Sequence, residues 1–87
     1  NNFLKKITID MGAVKFIASG ADVMRPGITE IENGIMKEDI VSIVDVMHKK
    51  PLAVGIALFS YEEMINMSSG KVVKNLHYVG DKVWNYS

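Results

Sequence analysis

Two histidines, His48 and His77, stand 29 positions apart in this chain. A zinc pair on a helix needs its ligands about one turn apart, as in His-x-x-x-His, and neither histidine has such a neighbour. His48 falls in a turn beside Lys49 and His77 on a strand, so both read as surface or core-rim residues. Glu62 and Glu63 open a short helix, where carboxylates serve the cap and the helix dipole. Asp22 and Arg25 could form an acid site, but a local ion pair is the simpler reading. No serine occupies a nucleophile elbow, and Ser69-Gly70-Lys71 reads as a turn and not as a phosphate loop. There is no cysteine, hence no thiolate nucleophile, thiolate metal site or disulfide. The residues therefore supply no enzyme, no metal site and no cofactor site.

What they do supply is a surface. Gly80-Asp81 suits a two-residue type II′ turn, which places Asn75 to Val79 opposite Lys82 to Tyr86. If Val79 pairs with Lys82, then His77 faces Trp84 and Asn75 faces Tyr86. Leu76, Tyr78, Val83 and Asn85 take the opposite face. One face is thus a strip of aromatic and hydrogen-bonding groups, the chemistry of a base-stacking surface. Tyr78 and Trp84 are the candidate stacking residues. Both could equally plug the core with their polar tips at its rim.

The elements that carry these residues are short. Leu4 to Ile9 reads as a strand. Asp10 then caps a helix over residues 11–19, with Val14, Ile17 and Ala18 on one stripe. Gly20 ends it, able to adopt a left-handed backbone. Arg25-Pro26-Gly27-Ile28 places Pro and Gly as a type II turn would, and a strand Ile28 to Glu32 follows. Asn33-Gly34 marks another turn, and Ile40 to Met47 another strand. Leu52 to Phe59 alternates large and small residues. Its large set (Leu52, Val54, Ile56, Leu58) is expected in the core, while Ala53, Gly55 and Ala57 allow a close approach. Ser60 with Glu63 is a capping box for a second short helix. Five or six short strands with two short helices give a compact, mostly β fold, with barrel closure removing exposed edges.

At 87 residues the chain is one domain, and 48% apolar content is ample for a core. Its longest apolar run, Leu52 to Phe59, is far short of the ~20 residues of a membrane helix, and no signal-like segment opens the chain, so no membrane partner is expected. Net charge is zero, which argues against a purely electrostatic nucleic-acid binder. The distribution is uneven. Lys5, Lys6, Lys15 and Arg25 make the first 28 residues basic; Glu30, Glu32, Glu38, Asp39 and Asp45 make the middle acidic; Lys71, Lys74 and Lys82 make the end basic. If the two ends meet, the domain has one basic face.

The order of motifs resembles the PUA domain, a pseudobarrel named for pseudouridine synthases and archaeosine transglycosylases. Asp10 to Phe16, Ser19 to Ile28, Pro51 to Ala57 and Asn75 to Trp84 carry the resemblance, which covers residues 9–87 and leaves 1–8 as a lead-in, a remnant of an upstream domain or the start of a stand-alone module. Asn75 to Trp84 is most similar to the PUA domain of the malignant T-cell-amplified family of translation factors and its archaeal relatives. The resemblance implies a non-catalytic, cytoplasmic RNA-binding module that reads a tRNA acceptor end or rRNA, with the ribosome or a translation factor as further partner. A protein-docking barrel is the alternative, with the acidic segment 30–45 as its surface. By the same resemblance RNA lies along the first helix, the loop after it and the last strand. Gly12, Gly20 and Ala21 would let a phosphate backbone approach, with Ser19 beside them, and backbone N–H groups near Gly20 and Asp22 would donate to it. Lys15, Arg25 and Lys82 would pair with phosphate, or Arg25 with a base edge. Glu38 departs from the family pattern, which often has Gly before the Asp that opens the third strand, so that turn is expected to differ.

Overall fold

β-branched and aliphatic residues at alternate positions build six strands around one core. A computed structural model describes residues 4–78, so the expected Gly80-Asp81 turn, Lys82 and Trp84 lie outside the described residues. The strands are β1 (Lys5–Ile9), β2 (Val23–Met24), β3 (Ile28–Ile31), β4 (Ile40–Asp45), β5 (Pro51–Ala57) and β6 (Lys71–Tyr78). Two helices, α1 (Val14–Ile17) and α2 (Tyr61–Ile65), follow β1 and β5. The sheet order is β2-β6-β5-β4-β1-β3. All neighbours are antiparallel except β1 and β4, which run parallel with Ile7 beside Ile43.

The two strands at the ends of this order, β2 and β3, are consecutive in the chain. A single 3-10 turn, Arg25–Gly27, joins them. Arg25 N–H donates to the Gly70 carbonyl at 2.8 Å, and Asp10 N–H to the Gly27 carbonyl at 2.9 Å. The sheet thereby curls into a pseudobarrel, as the motif order implied. Ile7, Ile9, Val41, Ile43, Val72 and Val73 fill its interior, with Ile17 of α1 and Met64 of α2 packed into the same core.

Three local expectations are corrected. Pro26-Gly27 does not form a type II turn: Gly27 is not among the residues with a left-handed backbone, and Ile28 N–H closes the 3-10 turn onto the Arg25 carbonyl. Glycine serves packing there, since an added Cβ would lie 3.3 Å from the Ala13 Cβ. On β5 the faces are reversed from Ala53 onward. Leu52 is buried in the core as expected, but Ala53, Gly55 and Ala57 are buried too, while Val54, Ile56 and Leu58 are only half-buried. Ile43 and Val73 from the two neighbouring strands already occupy the interior, and a Cβ on Gly55 would sit 2.5 Å from Val73 Cγ1 and 2.6 Å from the Lys74 carbonyl. The first helix is shorter than residues 11–19. Its flanks wind more tightly, Ala13, Val14, Ser19 and Gly20 each donating to the carbonyl three residues back. Asp10 is not the N-cap of α1, which is Ala13 without a side-chain bond; its carboxylate accepts from Ala13 N–H at 3.0 Å and so closes the turn that leads into the helix.

Candidate nucleic-acid interface

The segment after α1 is laced to the last described strand by one asparagine. Asn75 Nδ2 donates to the Ile17 carbonyl at 3.1 Å and to the Ala21 carbonyl at 3.0 Å. Its backbone N–H donates to Asp22 Oδ1 at 2.8 Å. Asp22 Oδ2 in turn pairs with Lys71 Nζ at 3.1 Å. The end of α1 and the loop after it are thus tied to a strand more than fifty residues away in sequence, the Ile17 carbonyl accepting from both Asn75 and Gly20. The Asn75 N–H, and then Lys71, hold the Asp22 carboxyl below the usual aspartate range against the opposing effect of burial.

Gly20 takes the left-handed backbone expected of it, with φ of 103°. The Tyr78 ring lies 3.0 Å from where its Cβ would be, so Tyr78 packs half-buried on this loop. The Gly20 and Ala21 N–H groups donate to the Ile17 and Phe16 carbonyls, which removes them as donors to a ligand. Ser19 Oγ donates to the Lys15 carbonyl at 2.8 Å. Gly12, Lys15, Ser19 and Ala21 are solvent-exposed. Arg25 is half-buried and does not pair with Asp22; its Nε donates to the Met64 carbonyl of α2 at 2.7 Å, because the 3-10 turn aims it across the barrel edge.

Between α1 and β2 lies a groove of about 290 Å³, lined by Ala13, Phe16, Ala21, Asp22, Met24 and Gly27 among others. Phe16 is 57% exposed at its mouth, with Met24 half exposed. Lys15 Nζ stands 5.4 Å from the Phe16 ring centroid, within cation–π range. An exposed aromatic beside a lysine and a small-residue floor can stack a planar base and neutralise its phosphate. Sequence reasoning placed the stacking function on the last hairpin and missed Phe16. The available signal was its position off the Val14, Ile17, Ala18 stripe, which leaves it facing solvent.

The two basic ends of the chain do meet, since Met24 of β2 pairs with Lys71 of β6. The gathering of charge is partial. Lys71 is neutralised by Asp22, and Lys6 sits on β1, its backbone N–H bonded to Glu32. Lys15 and Lys74 are exposed, on α1 and on β6. Among the described residues no cluster of His, Asp and Glu is arranged to hold a metal, and no helix is long and apolar enough to cross a membrane.

The sequence and fold are shared with known proteins. The PUA domain family matches the chain over residues 5–79. An uncharacterized protein of Methanocaldococcus jannaschii is 54% identical over 80 residues, covering 92% of this chain and 49% of that protein. Translation machinery-associated protein 20 of Eremothecium gossypii is 36% identical over 87 residues, covering 93% of this chain and 48% of that protein. The chain thus spans about half the length of these relatives. A crystal structure of a hypothetical protein from Pyrococcus horikoshii superposes with a TM-score of 0.88 at 43% identity, over 93% of this chain and 48% of the other. A chain of an H/ACA RNP bound to a substrate RNA superposes with a TM-score of 0.84 at 30% identity, over 93% of this chain and 25% of the other. With the strand order, the two short helices and the joined sheet edges, these matches establish that the chain belongs to the PUA domain family.

Proposed function

We propose that this domain recognises structured RNA, a tRNA acceptor end or ribosomal RNA, in translation or RNA modification, and catalyses no reaction itself. The observation that carries this reading is the α1–β2 groove with exposed Phe16 and Lys15 at its mouth. Phe16 stacks an unpaired base and Lys15 pairs with the adjoining phosphate. Gly12 and Ala21 present no side chain large enough to hold the backbone away, and Ser19 borders their path. Arg25 contributes its terminal nitrogens only, since Nε is committed to Met64. Tyr78 stiffens the loop beneath the RNA. Lys82 and Trp84 add a cation and a second aromatic from the end of the chain. The relatives support a setting in the translation machinery, and hence in the cytoplasm, with the ribosome or a translation factor as further partner.

Anisotropy titration of labelled total tRNA against poly-U, at low and moderate salt, tests the reading. The expected result is preference for tRNA and affinity that falls with salt. Lys15→Glu should weaken binding and flatten the salt slope by about one counterion. Phe16→Ala should weaken it by roughly 1–3 kcal/mol, the scale of one base–aromatic stack. Equal affinity for tRNA and poly-U, with both variants binding like wild type, would overturn the assignment. Arg25→Glu is a poorer probe, because it also removes a part-buried bond to α2.

A further inference from the structure

A second groove lies at the other helix. The end of β5 runs through Phe59 into α2, and between them opens a groove of about 560 Å³ lined by Phe59, Glu62, Glu63, Asn66 and Met67. Its apolar floor is Phe59 and Met67, both half-buried and so still reachable. Ile65 adds an aliphatic side chain that is 47% exposed on the same short helix. The rim is anionic. Glu63 commits one oxygen to the capping box with Ser60 N–H at 2.9 Å, and Glu62 enters no ion pair among the described residues. The acidic loop before β4 abuts this end of the barrel, Glu38 N–H donating to the Ala57 carbonyl two residues before Phe59. The helix itself is fixed: the capping box closes its start, the Met64 side chain is fully buried, and the Met64 carbonyl accepts from Arg25. Little ordering cost is left for an incoming ligand.

An apolar floor beside carboxylates that no cation neutralises among the described residues repels phosphate and attracts cations. We propose that this groove is a docking site for a basic peptide segment of a protein partner, one large apolar side chain on Phe59 and Met67 flanked by Lys or Arg facing Glu62. This groove and the α1–β2 groove share no lining residue.

Amide chemical shifts of the full chain test it. The probe is a short amidated peptide with leucine and phenylalanine flanked by lysine and arginine; the control has glutamate in place of the basic residues. The basic peptide should give saturable shifts confined to residues 59–67, and the acidic control none. Glu62→Lys, an exposed change, should weaken the basic peptide roughly threefold to tenfold, and Glu62→Gln should weaken it less and leave the tRNA titration unchanged. Met67→Ser, which leaves the charge unchanged, should weaken the basic peptide by removing part of the apolar floor. Absence of saturable shifts at 59–67, equal response to both peptides, or shifts there on adding tRNA would each overturn the proposal. Shifts at 59–67 that grow with protein concentration alone would also overturn it, in favour of self-association.

Discussion

Glu38 is a residue in a conformation that glycine tolerates better, with φ of 76°. It holds that backbone because its N–H donates to the Ala57 carbonyl at 2.7 Å, closing the loop onto β5. An L-residue with a Cβ bears about 1–2 kcal/mol there. Glu38→Gly should therefore raise the urea midpoint by the equivalent of roughly 0.5–1 kcal/mol, after glycine's greater chain entropy is set against the relief of strain. A lower midpoint would mean that the Glu38 side chain stabilises the turn in its own right. The sequence marked this position by its Glu where the family often has Gly, but not its backbone angle, which is the left-handed one that glycine accommodates. Gly55 gives the opposite lesson. Alternation alone could not say which face of β5 looks inward, because that depends on Ile43 and Val73, which come from different strands. Gly55→Ala should cost about 1–3 kcal/mol by overpacking, since a backbone carbonyl at 2.6 Å cannot yield as a side chain can. A denaturation midpoint equal to wild type would show that the barrel wall relaxes.

At the level of elements, the capping box of α2 was readable from Ser60 and Glu63 because its partners are local in sequence. The lacing of α1 to β6 was not, because Asn75 reaches carbonyls more than fifty positions away and nothing near it in sequence marks them. Asn75→Ala leaves the Ile17 and Ala21 carbonyls without these donors and should lower stability by roughly 1–3 kcal/mol. It should also loosen the loop that carries Gly20 and Ala21. Hydrogen exchange of amides 18–22 is the direct measurement, and protection as high as in wild type would show that the strand pairing of Val23 with Val73 suffices. The same argument accounts for the ion pair assigned to Asp22. Sequence proximity pointed to Arg25, whereas strand pairing brings Lys71 alongside.

For the whole molecule, the mostly β pseudobarrel was legible from the order of motifs, while its charge distribution was only half legible. Basic segments do adjoin, but Asp22 neutralises part of them and β1 carries Lys5 and Lys6 elsewhere. Asp22 and Asp45 both have carboxyls held below the usual range, Asp22 chiefly by Asn75 N–H and Asp45 chiefly by His48 N–H. The unfolded chain therefore binds these protons more readily than the folded one. Their stabilisation is complete above the ordinary aspartate value of about 4 and is lost as pH falls through the lower folded-state values. Urea midpoints should accordingly fall between pH 5 and pH 3, and Asp22→Asn should flatten part of that fall. A midpoint flat across this interval would contradict the lowered values. Finally, because the strands at both ends of the sheet order are joined by Arg25–Gly27 alone, one short hinge guards two hydrogen-bonding edges at once. A protease cut at that hinge, harmless in an ordinary surface loop, would here release both edges together. The nicked protein should then add strand to strand with its neighbours and form filaments, whereas a cut at the Asn33-Gly34 turn should leave its light scattering as before the cut.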